Sequence, residues 1–194
     1  MLPRVALIAV VLLATLGSEA SAGSCRDRLR ALGVDFKPVS KRHIDEAVEV
    51  RGRLGGVDYL SYRNKRLVVA CDLALALSKI GRYLEAHDIV VVRYSSAYSR
   101  RRIRKSGRWS RHAFGRAIDV HSFKRRDGTV MTIKNDYEQG LGDDVDCVGH
   151  PLTGEGRILR TLACQFERSG LFDNVLDPDY DAHHYNHFHL DLPR

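Results

Sequence analysis

Apolar positions along this chain recur in two periods, and the switches between them mark out its elements. Leu73, Leu75, Leu77, Ile80 and Leu84 recur at helical spacing and predict a helix over Asp72 to Ala86 whose apolar side enters the core. A second helix is predicted over Gly154 to Ser169, with Ile158, Leu159, Leu162 and Phe166 on one side and Gly170 at its end. A short one over Arg26 to Leu32 stops at Gly33, a residue type that terminates helices. The unbroken run Ile89-Val90-Val91-Val92 reads as a buried strand, and Ala117-Ile118-Asp119-Val120 as another. Tyr and Val set among polar turns predict an irregular strand pair between Val57 and Val69. Asp127-Gly128 between strand-like flanks predicts a hairpin. Near the end, His187, His189 and Asp191 alternate with Phe188, Leu190 and Leu192, the period of a half-buried strand.

The start of the chain is set apart from this pattern. Arg4 precedes an apolar run from Val5 to Leu13, and Ala20-Ser21-Ala22 offers small residues for cleavage, so Met1 to Ala22 is expected to be a secretory signal peptide. The run is short for a membrane span. Lipid attachment through Cys25 is disfavoured because Ala22-Gly23-Ser24 lacks the usual upstream Leu. Residues 23–194 carry no internal repeat or low-complexity linker and are expected to form one domain, periplasmic or secreted, with no transmembrane segment after cleavage.

Export changes how the cysteines are read. In an oxidising compartment Cys25, Cys71, Cys147 and Cys164 are expected to form two disulfides, and no Cys-x-x-Cys pair is present. Cys25 with Cys71 and Cys147 with Cys164 close the shorter loops. The net charge of +7 survives removal of the signal, since Arg4 and Glu19 cancel, and draws the protein towards anionic envelope polymers. The basic run Arg100 to Arg111, with Trp109 as a stacking ring, would attract nucleic acid only nonspecifically, because no nucleic-acid motif accompanies it.

Candidate chemistry lies in two stretches, Ser110 to Val120 and His183 to Leu192. The first sets His112 and Asp119 on either side of Gly115; the second puts His187 and His189 on one strand face, roughly 6 to 7 Å apart. At that separation one imidazole can bind an ion while the other acts on what is bound. Zinc accepts His nitrogen and Asp oxygen, and catalytic sites keep three protein ligands with one open position. His112, Asp119 and His189 make such a set. His43, His87, His121 and His150 read as surface or hydrogen-bonded histidines.

At these residues the chain resembles the extensin-like C-terminal family of bacterial secreted proteins, related to the lysostaphin, D-Ala-D-Ala peptidase and hedgehog superfamily of zinc peptidases. Ser110, His112, Gly115, Ala117 and Asp119 match the motif Ser-x-His-x-x-Gly-x-Ala-x-Asp, and His187-Phe188-His189 matches His-x-His. The resemblance implies an α+β fold, a small antiparallel sheet with flanking helices of the hedgehog and D-Ala-D-Ala peptidase type. It implies His112, Asp119 and His189 as Zn²⁺ ligands, His187 as a catalytic residue and His184 as a further functional histidine. Relatives place an arginine facing the reacting carbonyl; Arg100 is the candidate here, with Arg101 and Arg93 as competitors. Asn135 to His150 would be a loop over the site.

The implied activity is zinc-dependent hydrolysis of peptide cross-links in peptidoglycan, whose peptides would be the partner. A zinc-containing module that binds the cell wall without cutting it is the alternative, and a metallohydrolase of another envelope substrate is a third. No Glu or Asp occurs between His183 and His189, so the base would be a histidine, His187 first and His184 second.

Overall fold

A computed structural model describes residues 23–104, 106–141 and 147–193, so the expected signal peptide lies outside the described residues. The chain begins with α1 (Cys25–Ala31), β1 (Phe36–Pro38), β2 (Ala47–Val50), β3 (Asp58–Ser61), β4 (Val68–Ala70), α2 (Cys71–Lys79) and α3 (Gly81–Glu85). The long strand β5 (Ile89–Ser96) follows, then a 3₁₀ turn (Arg111–Phe114) and the long strand β6 (Ala117–Arg125). The rest is β7 (Val130–Thr132), α4 (Ile133–Asp136), α5 (Gly154–Arg168), β8 (Asn174–Leu176) and β9 (Phe188–Asp191).

The fold is α+β, built on two sheets. The larger runs β3-β5-β6-β9-β8, with β7 also paired to β6, and the smaller runs β1-β2-β4. The expected all-antiparallel sheet is corrected at one edge, where β3 pairs with β5 in parallel. The predicted pair between Val57 and Val69 is also corrected. Both strands form, but β3 joins the larger sheet, beside β5, and β4 the smaller, beside β2.

The hairpin at Asp127-Gly128 forms as expected and joins β6 to β7. Gly128 takes φ +94°, and the Asp127 carboxylate accepts from the Thr129 N–H.

Helical periodicity located the helices and missed one break. Leu73, Leu77 and Leu84 are fully buried and Leu75 and Ile80 nearly so, yet the helix predicted over Asp72 to Ala86 divides at Ile80 into α2 and α3. The turn at Gly55 presses against it there. A Cβ on Gly81 would stand 2.2 Å from the Gly55 carbonyl oxygen. That approach is made between elements far apart in sequence, and local spacing carries no sign of it.

Both expected disulfides are present, Cys25 to Cys71 and Cys147 to Cys164. They suit a protein that matures outside the reducing cytoplasm. Among the described residues no helix is long and apolar enough to cross a membrane.

The described part of the stretch from Asn135 to His150 is largely loop. It opens in α4 and fastens to residues 177–179. Tyr137 donates to the Asp177 carboxylate, Gln139 to the Pro178 carbonyl, and the Gly140 N–H to Asp179. Arg160 of α5, 2% exposed, pairs with Asp179 at 2.8 Å and lies over the Tyr137 ring. Those bonds hold the segment that leads into β9. Residues 142–146 lie outside the description.

Candidate metal centre

Two adjacent antiparallel strands and one tight turn build the site. In the register of β6 with β9, Asp119 sits opposite His189 and Val120 opposite Phe188. Directly opposed residues on one face are close neighbours, so the pairing alone brings that carboxylate to that imidazole. The distance from His189 Nδ1 to Asp119 Oδ1 is 2.8 Å. Continuing the register sets His187 beside His121, and their rings stack with centroids 5.2 Å apart.

The third group arrives from the 3₁₀ turn. Ser110 caps that turn, its hydroxyl accepting from the His112 N–H. Gly115 ends it at φ +62°, where any side chain would strain the backbone. A Cβ there would also come within 2.5 Å of Ile44 and 2.8 Å of the Ala70 nitrogen, which itself donates to the Gly115 carbonyl. The fixed serine, glycine and alanine of the motif thus have physical work: a cap, a left-handed turn against β4, and a fully buried Ala117 at the start of β6. The result is His112, fully buried, with Nε2 3.1 Å from Asp119 Oδ1.

The far side of each imidazole is occupied. His112 Nδ1 lies 2.8 Å from the Ala97 carbonyl, an acceptor, so that nitrogen carries the proton and Nε2 presents its lone pair to the site. His189 Nε2 faces Asp191 at 3.1 Å, and Asp191 is held in turn by the Asn174 amide at 2.9 Å. Acceptors placed behind metal-binding histidines fix the tautomer and raise ligand basicity in this way. The donor atoms of His112, Asp119 and His189 lie within 4.8 Å of one another. Two nitrogens and one carboxylate oxygen at that spread, each oriented from behind, fit a zinc ion with a position left open.

The electrostatics favour a cation between these groups. Burial works against the Asp119 charge, but the His112 and His189 rings beside it hold its carboxyl far below the usual range. Burial likewise opposes a charged His189, and carboxylates on both sides outweigh it, carrying the ring up to about 9. His187 behaves in the opposite way. Burial pushes it down to about 4 against the attraction of Asp119, with His121, His184 and His189 adding to the depression.

Of the other predicted residues, His187 stands at the site, with Nε2 3.8 Å from Asp119 Oδ1 and Nδ1 2.9 Å from the Asn186 side-chain oxygen. His184 is one ring further out, 5.1 Å from His187 and 6.0 Å from His189 between centroids, and its Nδ1 is tied to Asp181 at 2.7 Å. The arginine that reaches the group is Arg101, 3.8 Å from Asp119 Oδ2. Arg100, the first candidate, is exposed, and Arg93 lies over the Tyr62 ring. The backbone turns here, the Arg101 N–H donating to the Ser99 carbonyl at 2.9 Å, and a strand period read from the sequence does not carry through such a turn.

Two further side chains belong to the site. His121, which reads as an ordinary histidine in the sequence, is bonded to the Ser95 hydroxyl at 2.9 Å and stacked on His187. Asp191, on the same strand face as His189, backs its Nε2. The period of two from Asp119 and from His189 would have found both.

The family model described as Extensin-like protein C-terminus matches residues 23–194. Comparisons with curated proteins and with solved structures gave no match.

Proposed function

We propose, for a chain that belongs to the extensin-like C-terminal family, that it is a zinc-dependent hydrolase of peptide bonds in the cross-links of bacterial peptidoglycan. One observation carries this reading: His112 Nε2, Asp119 Oδ1 and His189 Nδ1 converge, each imidazole is backed by an acceptor, and a further histidine, His187, stands beside them. When bound, zinc lowers the pKa of water towards about 7 and polarises a carbonyl.

The chain's own side chains supply the rest. His187 is placed to take a proton from the attacking water and return it to the leaving amine, with His121 stacked behind it to fix the ring. Arg101 adds positive charge beside Asp119, where the oxygen of a tetrahedral intermediate would need it. The match to the two motifs of the zinc-peptidase superfamily supports amide hydrolysis, and the disulfides support an envelope setting.

The test is incubation of the purified protein with isolated sacculi, with and without chelator, followed by analysis of released muropeptides and of bound metal. We expect one zinc per chain and new peptide ends that vanish with chelator and return with zinc. His112→Ala, Asp119→Ala and His189→Ala should each lose the metal and the products together. Zinc-dependent binding to sacculi without any new ends would favour the non-cleaving module instead.

A further inference from the structure

Beside the metal centre lies a groove of about 720 Å³ that ends at Asp119. Lys41, Arg63, Lys65, Arg66 and Arg101 line it, against two acidic side chains, Glu49 and Asp119. The acids meet only part of this charge. Glu49 is shared between Arg51 at 3.7 Å and Arg66 at 3.9 Å, and Asp119 lies 3.8 Å from Arg101, which leaves Lys41, Arg63 and Lys65 without an ion pair among the described residues. A cleft walled by one sign of charge concentrates its field, so this groove selects anions.

The cations are presented on built turns. The turn bearing Arg63, Lys65 and Arg66 is closed by Asn64 at φ +52°, by Ser61, whose hydroxyl accepts from the Arg63 N–H and whose carbonyl accepts from Asn64, and by the Tyr94 hydroxyl, which donates to the Lys65 carbonyl at 3.3 Å. A second lining tyrosine repeats the device. The Tyr98 hydroxyl donates to the Arg42 carbonyl at 3.2 Å, next to Lys41. Two tyrosines that line the groove thus buttress the backbone beside its cations, and like charges are held together at a cost that an anion would offset.

We propose that this groove is the substrate subsite, and that it binds the free carboxylates of an acidic peptide strand whose scissile bond lies at Asp119. The inference rests on the peptidase reading for what lies at its inner end. Its volume is that of a small-ligand pocket, about 300 to 1,000 Å³, which suits a few peptide residues and not a duplex. Arginine forks grip a carboxylate through paired hydrogen bonds, and the lysines act as point charges beside them.

The experiment uses the zinc-loaded mature protein and two fluorescent murein tetrapeptides, one with free carboxylates and one with them amidated, read by anisotropy. The free acid should bind about tenfold or more tightly than the amide, a difference of about 1.4 kcal/mol or more. The R63Q/K65Q variant should lose that preference, and R63K/K65R should keep it, both with wild-type circular dichroism and zinc content. Equal binding of the two peptides to the wild type, an unchanged preference in R63Q/K65Q, or displacement of the acidic peptide by a DNA oligonucleotide at equal charge concentration would overturn the proposal. Cleavage is scored separately on cross-linked muropeptides. Carboxylate preference without cleavage leaves the subsite standing and removes the peptidase reading; cleavage without preference does the reverse.

Discussion

His187 and His189 lie two residues apart on one strand face and are shifted in opposite directions. His189 is flanked by the carboxylates of Asp119 and Asp191 at 2.8 and 3.1 Å, while His187 meets Asp119 only at 3.8 Å and otherwise faces Asn186 and the rings of His121 and His184. Under the proposed function, that difference in neighbours leaves His189 to a cation and His187 to proton transfer. His187→Ala is therefore expected to keep its zinc and to lower kcat by about 10²- to 10⁴-fold, the contribution of a positioned acid or base. A variant with normal zinc content and wild-type turnover would remove His187 from the chemistry. The arginines offer a paired test. Both side chains are exposed, and Arg101→Gln should lower kcat because its guanidinium lies 3.8 Å from Asp119, whereas Arg100→Gln should leave kcat within about twofold. Equal losses in both would mean that the charge acts at long range.

At the scale of elements, the site depends on the turn that joins β5 to β6, and that turn depends on Gly115. Gly115→Ala would put a Cβ 2.8 Å from the Ala70 backbone nitrogen on a residue already at φ +62°. Left-handed strain alone costs about 1 to 3 kcal/mol, and the contact with backbone adds to it. Urea denaturation should show a loss of at least that size, together with weakened zinc binding, because His112 rides on the same turn. Unchanged stability would show that β4 can withdraw. The convergence of His112, Asp119 and His189 was legible in the sequence because it is encoded by features that act locally: a cap, a glycine turn and a strand period. The choice among Arg93, Arg100 and Arg101, the split of the helix at Ile80 and the parallel edge at β3 were not. Each is decided by which distant backbone arrives alongside, as Gly55 does at Gly81, and single-chain periodicity has no term for that.

For the whole molecule, the two disulfides stand at different distances from the chemistry. Cys25 to Cys71 joins α1 to the first residue of α2, and Cys147 to Cys164 joins the segment after the undescribed residues to α5. The candidate metal centre is carried by β6, β9 and the 3₁₀ turn, whose mutual contacts are backbone ladders and buried side chains that neither disulfide closes. Stability and site geometry should then separate. Chain entropy assigns a cross-link spanning 17 residues about 3 kcal/mol and one spanning 46 about 4 kcal/mol. C147S/C164S should thus lower Tm by roughly 6 to 12 °C, at about 2 to 4 °C per kcal/mol for a domain of this size, yet bind zinc as the parent does below that transition. C25S/C71S should fall further by the entropic estimate, with α1 loosened from α2 first. Loss of zinc from folded C147S/C164S would show that the segment before α5 helps to hold β9 in register, through the chain of bonds from Arg160 and Tyr137 to residues 177–179.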